Sequence, residues 1–252
     1  MLGRFSRATV SCGPSTSDAV ASWYAGALGL KREPRVLGAR GEVLDGASSC
    51  ALAVLELDGF VPSRAPLLQA PFLTFCVSNM RTSARHAARL GGAVLPPDAA
   101  APLPDGEGVF VDPSGRATRV IHRFRRNPLV SLTLRVANVD DAAHFFRAAL
   151  GLRVLDASEA AEALPRAGAR AGAVLAFGAA HNTTALVIER AENEASGTSV
   201  DDDCAPVVTA HVSDVLAARR EFERAGGAVE GGAKDDFTAI CPNGTAWQIV
   251  SL

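Results

Sequence analysis

Polar and apolar residues alternate over residues 131–136, and this pattern predicts a half-buried β-strand. A segment with helical periodicity follows, whose apolar positions are Ala143, Phe146 and Leu150. Asp140 or Asp141 is expected to cap this helix at its start. The helix should end at Gly151, because glycine readily takes the left-handed conformation that closes a helix.

The first half of the chain follows the same plan. Residues 8–12 predict a strand, and the apolar spacing through Leu28 predicts a helix. The candidates for its N-cap are Ser15, Thr16, Ser17 and Asp18. Both helices run into a Leu-Gly-Leu motif, so the two halves begin with the same strand and helix.

Three short motifs of the first half return in the second half at a nearly constant offset. They are Leu28-Gly29-Leu30 with Leu150-Gly151-Leu152, Gly91-Gly92-Ala93-Val94 with Gly226-Gly227-Ala228-Val229, and Asp112-Pro113-Ser114-Gly115 with Cys241-Pro242-Asn243-Gly244. A period of this length is typical of a duplicated domain and too long for a solenoid repeat. Each half should therefore have its own hydrophobic face.

Each half divides again into two modules. A second strand and helix are predicted in each half, at residues 72–77 and 81–90 and at residues 207–212 and 215–225. The strands that close the modules are predicted at residues 53–57, 118–121, 186–189 and 246–250. We therefore predict an α+β protein with two domains, residues 1–124 and 129–252, joined by a solvated basic segment at residues 123–128.

Composition excludes several classes of function. The 252 residues carry a net charge of −2, with 48% hydrophobic and 21% charged residues, which is typical of soluble globular domains and makes nucleic acid an unexpected partner. No apolar run approaches the roughly 18 residues of a membrane span, so no membrane insertion is expected. The five cysteines are odd in number and form no Cys-x-x-Cys pair. This favours a reducing compartment, the cytoplasm or an organellar matrix, over secretion.

Four stretches carry a family pattern: residues 112–115, 131–136, 145–152 and 187–193. They resemble the vicinal oxygen chelate superfamily and, within it, glyoxalase I, especially its fused two-domain form. The resemblance covers nearly the whole chain. It implies four βαβββ modules that form two domains of the glyoxalase/bleomycin resistance type.

The resemblance also implies where a metal ion would bind. In glyoxalase I, a His or Gln on the first strand of a module and a Glu on its last strand hold the metal, together with the same positions of a partner module. The corresponding residues are Thr9, Phe72, Ser131 and Val207 on first strands and Glu56, Arg119, Glu189 and Gln248 on last strands. Only Glu56, Glu189 and Gln248 are good donors, and a metal site needs at least three that converge. We therefore expect a degenerate metal site without a cofactor, and a bound divalent metal is the alternative.

One histidine could replace a missing ligand. His211 shares a strand face with position 207 and should point into the pocket of its module. The simpler interpretation is a satisfied or solvent-reaching histidine of a half-buried strand. Both interpretations stay open.

The second half retains the residues that the resemblance assigns to ligand binding. In glyoxalase I, an Arg four residues after the first-strand ligand and an Asn four residues after the last-strand Glu hold glutathione, and here these are Arg135 and Asn193. A guanidinium fork and an amide would suit a small anionic thiol conjugate or a glutathione-like ligand. The alternative is an ordinary strand arginine and a loop asparagine. The first half has Gly13 and Phe60 at these places.

Glu189 needs a partner if its carboxylate is buried in the ionised form. Arg119 would provide one if the second and third modules share a pocket, as in the fused enzymes. A guanidinium in that place would balance the charge without a metal ion. We therefore predict an ion pair between Arg119 and Glu189.

The expected function is that of a glyoxalase-like protein that has lost metal-dependent catalysis and binds a small ligand or acts as a scaffold. One alternative is an active lyase or isomerase with an unorthodox site, using His211 and a water, with Glu189 as the best catalytic candidate. Another is a structural subunit of a larger assembly, for example an organellar one. A metal titration would distinguish the first alternative, and co-purification with stoichiometric partners would favour the second.

Overall fold

The computed structural model describes residues 3–13, 15–36, 41–45, 50–56, 72–95, 106–125, 128–163, 171–179, 183–191, 208–232, 235–242 and 245–252. The chain divides into two compact units. We call Thr9–Val130 the N-unit, and Met1–Ala8 with Ser131–Leu252 the C-unit. The domain limits predicted from the sequence, 1–124 and 129–252, remain a prediction.

The N-unit contains two strand–helix–strand modules. Its elements are β1 (Gly3–Cys12, from Thr9 onward), α1 (Ser17–Leu28), β2 (Lys31–Val36), β3 (Gly41–Asp45), β4 (Ala51–Glu56), β5 (Phe72–Val77), α2 (Met80–Arg89), β6 (Ala93–Val94), β7 (Glu107–Val111) and β8 (Ala117–His122). The strand orders are β1-β4-β3-β2 and β5-β8-β7-β6.

The C-unit repeats this arrangement. Its elements are the first part of β1, then β9 (Leu129–Val136), α3 (Val139–Leu150), β10 (Arg153–Val154), α4 (Ala157–Ala163), β11 (Ala171–Ala176), β12 (Ala185–Arg190), β13 (Val208–Val212), α5 (Val215–Arg224), β14 (Ala228–Glu230), β15 (Asp236–Ile240) and β16 (Ala246–Ser251). The strand orders are β14-β15-β16-β13-β1 and β10-β11-β12-β9.

The pairing of strands shows the modular plan directly. In three modules the first strand pairs in parallel with the last: β5 with β8, β9 with β12, and β13 with β16. The hairpins β7–β8, β11–β12 and β15–β16 are antiparallel. A parallel pair needs a crossover, and the helix of each module provides it. The predicted α+β fold of repeated βαβββ modules is confirmed.

Strand β1 is longer than the sequence predicted. It begins at Gly3, because its first part pairs antiparallel with β13, from Gly3 opposite Val212 to Ala8 opposite Val208. The local pattern over residues 8–12 carries no information about this distant partner. The extension brings Arg7 into the sheet of the C-unit.

Local residues cap both ends of α3. The C-cap is the predicted residue, and the N-cap is a different one. Gly151 ends α3 with φ 70°, and its N–H donates to the carbonyl of Arg147, as expected for a left-handed C-cap. The predicted N-cap at Asp140 or Asp141 is wrong. Asn138 is the cap, and its side-chain oxygen accepts the N–H groups of Asp140 and Asp141 at 3.1 and 3.3 Å, because the helix already begins at Val139.

Pairs of aromatic residues hold the helices against the sheets. Trp23 and Tyr24 of α1 are fully buried and pack edge to face, with ring centroids 4.9 Å apart. In α3, Phe145 and Phe146 do the same at 5.3 Å, and Phe146 lies 5.1 Å from Trp247 of β16. Such pairs add to the stability gained from burial alone. They mark the sheet faces that the helices cover.

The turn at residues 112–115 is tied to α1 by buried polar groups. Asp112 Oδ1 accepts hydrogen bonds from Ser114 N, Ser114 Oγ and Arg116 N at 2.8, 2.6 and 3.1 Å. Burial, and then the charge of Asp112, raise the pKa of Tyr24 well above its usual range. Tyr24 is therefore a neutral phenol that links the helix to this turn.

No described helix is long and apolar enough to cross a membrane.

Candidate functional site

Arg119 and Gln248, two of the residues at the predicted ligand positions, lie on the sheet faces opposite α1 and α3, respectively. In the N-unit, Thr118 lies 3.4 Å from the Tyr24 hydroxyl of α1, so the next residue, Arg119, points to the other face. In the C-unit, Trp247 packs on Phe146 of α3, so Gln248 also points away from the helix. We call these surfaces the helix-distal faces.

Arg119 forms an ion pair with a neighbouring strand. Its Nε and Nη2 donate to Glu107 Oε2 at 2.9 and 2.5 Å. Only 16% of the Arg119 side chain and 5% of the Glu107 side chain are exposed. Arg119 is in register with Val109 on β7, two residues beyond Glu107, so alternation brings both side chains to one face.

A second ion pair lies on β9 and β12. Arg135 and Glu189 occupy directly opposite positions in the parallel register. Arg135 Nε lies 3.4 Å from Glu189 Oε2, and 24% and 16% of the two side chains are exposed. The carboxylate at a predicted metal position therefore already has a guanidinium beside it.

A third guanidinium belongs to a row of residues across β1, β13 and β16. Arg7 is opposite Thr209, and Thr209 is opposite Gln248. Arg7 Nη2 donates to Thr209 Oγ1 at 3.2 Å and to Gln248 Oε1 at 3.1 Å. The amide oxygen that would face a metal thus accepts a hydrogen bond from an arginine.

Two of the donors expected to hold a metal ion have other partners. Glu189 and Gln248, two of the three good donors, each accept from a guanidinium, and Arg119 is itself a cation. A metal would bring a second positive charge to donors that are already engaged. Within the described ranges, no group of three His, Cys, Asp or Glu residues is placed to hold a metal. The third donor, Glu56, ends β4, and its side chain lies outside what the structure describes.

Arg119 and Glu189, the predicted ion pair, each have a charged partner within their own unit. The pairing of the two with each other stays a prediction. Arg119 bonds to Glu107 inside the N-unit, and Glu189 bonds to Arg135 inside the C-unit. Arg135, predicted as a ligand anchor, therefore provides the charge balance that Arg119 was expected to provide. The prediction missed Glu107, although the turn at residues 112–115 fixes the register of the β7–β8 hairpin that brings it beside Arg119.

His211 is half-buried on β13, two residues from Thr209 and so on the same strand face. Its Nδ1 lies 2.9 Å from the carbonyl oxygen of Ser251. A carbonyl only accepts, so Nδ1 is the donor of this hydrogen bond. The role of His211 in ligand binding stays a prediction.

Asn193, the other predicted anchor, lies outside the described residues, as do Phe60 and Val207. Ser131 is described and buried. Arg7 was missed by sequence reasoning. A signal for it exists, because Arg7 is two residues before Thr9 and alternation places both on one face of β1.

Comparison with known proteins supports the fold. No family model and no curated protein sequence matches this chain. Among solved structures, glyoxalase I from Zea mays is similar with a TM-score of 0.67 and 15% identity, over 99% of this chain and 92% of the maize chain. A mutant of the maize glyoxalase I, in another crystal structure, is similar with a TM-score of 0.70 and 15% identity, over 99% and 94% of the two chains.

A proposed dioxygenase from Bacillus subtilis is also similar, with a TM-score of 0.59 and 13% identity, over 98% of this chain and 84% of the other. Identities this low carry information about the fold and not about the reaction. The resemblance stated from the sequence is confirmed at this level. The chain has the fold of the glyoxalase I structures, over nearly its whole length.

Proposed function

We propose that this protein binds a small anionic ligand on a helix-distal face and does so without a metal ion. One observation carries the proposal: guanidinium groups stand beside Glu189 and Gln248, at positions that the family resemblance assigns to metal ligands. The ordinary chemistry of such a surface is recognition of anions, since arginine offers a planar fork of donors to a carboxylate.

Charge supports an anionic ligand. Arg135 is half-buried, and its contact with Glu189 at 3.4 Å is long for a charge-assisted hydrogen bond. A ligand carboxylate could therefore gain a shorter bond from the same guanidinium. The ligand class that we propose is a glutathione-like peptide or small thiol conjugate, which carries free carboxylates.

The same geometry argues against metal-dependent isomerisation. A catalytic metal must polarise a substrate oxygen from an open coordination position, and several protein donors must hold it. Here the described donors are bonded to arginine. We therefore propose a binding protein, and no step of glyoxalase chemistry is assigned to its residues.

The test combines metal analysis with ligand titration. Elemental analysis of protein purified without chelators should find nickel, zinc and iron far below one ion per chain. Adding nickel or zinc should produce no isomerisation of the hemithioacetal of methylglyoxal and glutathione. Glutathione and S-methylglutathione should bind in calorimetry, and Arg135→Gln should weaken this binding by about tenfold, the effect of losing one charged hydrogen bond.

Arg190→Gln is the matched control, because Arg190 is the next residue after Glu189 on β12, is exposed, and points to the other face. It should bind like the parent. A near-stoichiometric metal content, or isomerase activity that depends on added metal, would overturn the proposal. So would equal loss of binding in both arginine variants.

A further inference from the structure

A cavity in the N-unit lies apart from the helix-distal face. It has a volume of about 430 Å³ and forms where the end of α1, the end of β5 and the start of α2 meet the basic segment after β8. The lining residues are Gly26, Ala27, Leu28, Gly29, Cys76, Val77, Ser78, Asn79, Thr82, Ser83, His86, Arg123, Phe124, Arg125 and Pro128. Because α1 and α2 line it, the cavity is on the helix side of the sheet, whereas Arg119 points to the other side.

The lining is positively charged. Arg123 and Arg125 both contribute to it, and none of the lining residues, all of them within the described ranges, is Asp or Glu. Both arginines affect the pKa of the Cys76 thiol, which also lines the cavity. Burial raises the pKa of Cys76, and the positive charges of Arg125 and Arg123 oppose that rise. The two guanidinium groups therefore act on the same part of the cavity wall.

Neutral donors accompany the two arginines. Ser78, Thr82 and Ser83, which carry hydroxyl groups, are among the lining residues. The first turn of α2 begins at the same place, with Asn79 Oδ1 accepting from Thr82 N at 3.0 Å. The ten-residue helix directs the positive end of its dipole toward this end of the cavity, which adds to the charge of the arginines.

The cavity also offers apolar surface. Ala27, Leu28, Val77 and Pro128 belong to the lining, and the ring of Phe124 stands beside them with 95% of its surface exposed. Phenylalanine side chains are usually buried, so a fully exposed one between two arginines is unusual. An aromatic ring in this place can stack on the organic part of a ligand.

We propose that this cavity binds a small organic phosphate monoester. Arginine forks and hydroxyl groups match the oxygens of a phosphate, and the apolar wall with Phe124 takes the carbon skeleton. The volume falls in the range of sites for small molecules. This site takes a different ligand from that of the helix-distal face, and neither proposal depends on the other.

The experiment uses a tryptophan placed at the cavity. Trp23 and Trp247 are both fully buried, so Phe124→Trp adds the one exposed indole among the tryptophans of the chain. Phenyl phosphate, inorganic phosphate and phenol are then titrated, with tryptophan emission and acrylamide quenching as readouts. Calorimetry on the parent protein confirms the affinities. Phenyl phosphate should bind at least about tenfold more tightly than inorganic phosphate, and phenol should not bind measurably.

Charge-matched variants locate the binding. The double variant Arg123→Gln, Arg125→Gln should lose phenyl phosphate affinity by at least about tenfold. The control Arg85→Gln, Arg89→Gln removes the same charge from exposed positions of α2 that do not line the cavity, and it should bind like the parent. If the first double variant does not fold, the single variant Arg123→Gln should show a smaller loss in the same direction.

Three results would overturn the proposal. The first is the absence of phenyl phosphate binding at millimolar concentration in the parent protein. The second is an equal loss of phenyl phosphate affinity in the Arg85, Arg89 control variant. The loss in the Arg123, Arg125 variant would then reflect the general charge of the surface. The third is binding to vesicles that contain phosphatidic acid without binding of phenyl phosphate, which would assign the basic segment to a lipid surface.

Discussion

Arg119 donates two hydrogen bonds to a single carboxylate oxygen of Glu107, and both side chains are mostly buried. Removing one member of such a pair strands the other charge in a poorly solvated place. Arg119→Ala should therefore lower the free energy of unfolding by about 3 kcal/mol. Urea denaturation at constant m-value measures this loss.

A double variant without either charge tests whether the stranded carboxylate causes this loss. Arg119→Met with Glu107→Leu should be more stable than Arg119→Ala, because no charge remains to be desolvated. Arg224→Ala is the control, since its pair with Glu221 is exposed on α5, and it should unfold like the parent. Parent-like stability of Arg119→Ala would show that the pair contributes nothing to the fold.

Alkaline pH should destabilise the protein through groups that stay protonated in the folded state. Burial raises the pKa of the Cys241 thiol far above its reference value of 9.0. The stabilising contribution of this neutral thiol is complete below the pKa of the unfolded chain. It is lost as pH rises from that value toward the folded pKa, because only the unfolded chain releases the proton.

The measurement is the urea midpoint between about pH 7 and pH 10, across the thiol pKa of the unfolded chain. The midpoint should fall in the upper part of this range, and Cys241→Ala should make the fall shallower. Tyr24→Phe should make the fall of the midpoint shallower only at still higher pH, because the pKa of Tyr24 is raised from a higher reference value. If the urea midpoint of Cys241→Ala fell with pH as steeply as that of the parent, the Cys241 thiol would not be the cause of the alkaline destabilisation.

The architecture could be predicted because its signals are local and repeated. Alternation placed β5 at the observed residues, and the Leu-Gly-Leu motif marked the ends of α1 and α3. The predicted metal-ligand positions within the described residues fell on strands, since duplication allows one module to be aligned with another.

The partners of the charged residues could not be predicted in the same way. Arg119 is the exception, because the turn of the β7–β8 hairpin fixes the register that places Glu107 beside it. Arg7 reaches Gln248 through pairing between strands far apart in the chain. Register between distant strands is set by tertiary packing, and a sequence pattern does not carry it. The alternation rule identified the face of each side chain but not its neighbour.

The cap of α3 offers a simple test of a corrected prediction. Asn138 accepts from two backbone N–H groups, so Asn138→Ala should cost about 1 kcal/mol of unfolding free energy. Asp140→Ala removes only a favourable charge near the helix start and should cost less than half as much. Urea unfolding of both variants decides between them. A larger cost at Asp140 would restore the original assignment of the cap.

The adjacent glycines Gly91 and Gly92 are required for different physical reasons. Gly91 has φ 83°, but a Cβ there would meet only Pro113 at 4.0 Å. Gly92 lacks a positive φ, and a Cβ there would overlap Trp23 Nε1 and the carbonyl oxygen of Val111. The first glycine is therefore needed for its backbone conformation, and the second for the space that its missing side chain leaves.

Substitution by alanine and by asparagine separates these two requirements. Gly91→Ala should cost about 1 to 2 kcal/mol, and Gly91→Asn less, because asparagine tolerates the left-handed conformation. Gly92→Ala should cost at least as much, since a backbone oxygen cannot move aside as a flexible side chain can, and Gly92→Asn should cost no less. The four free energies of unfolding come from urea denaturation. If asparagine restored stability at Gly92 but not at Gly91, the roles would be reversed, and Gly92 rather than Gly91 would carry the conformational requirement.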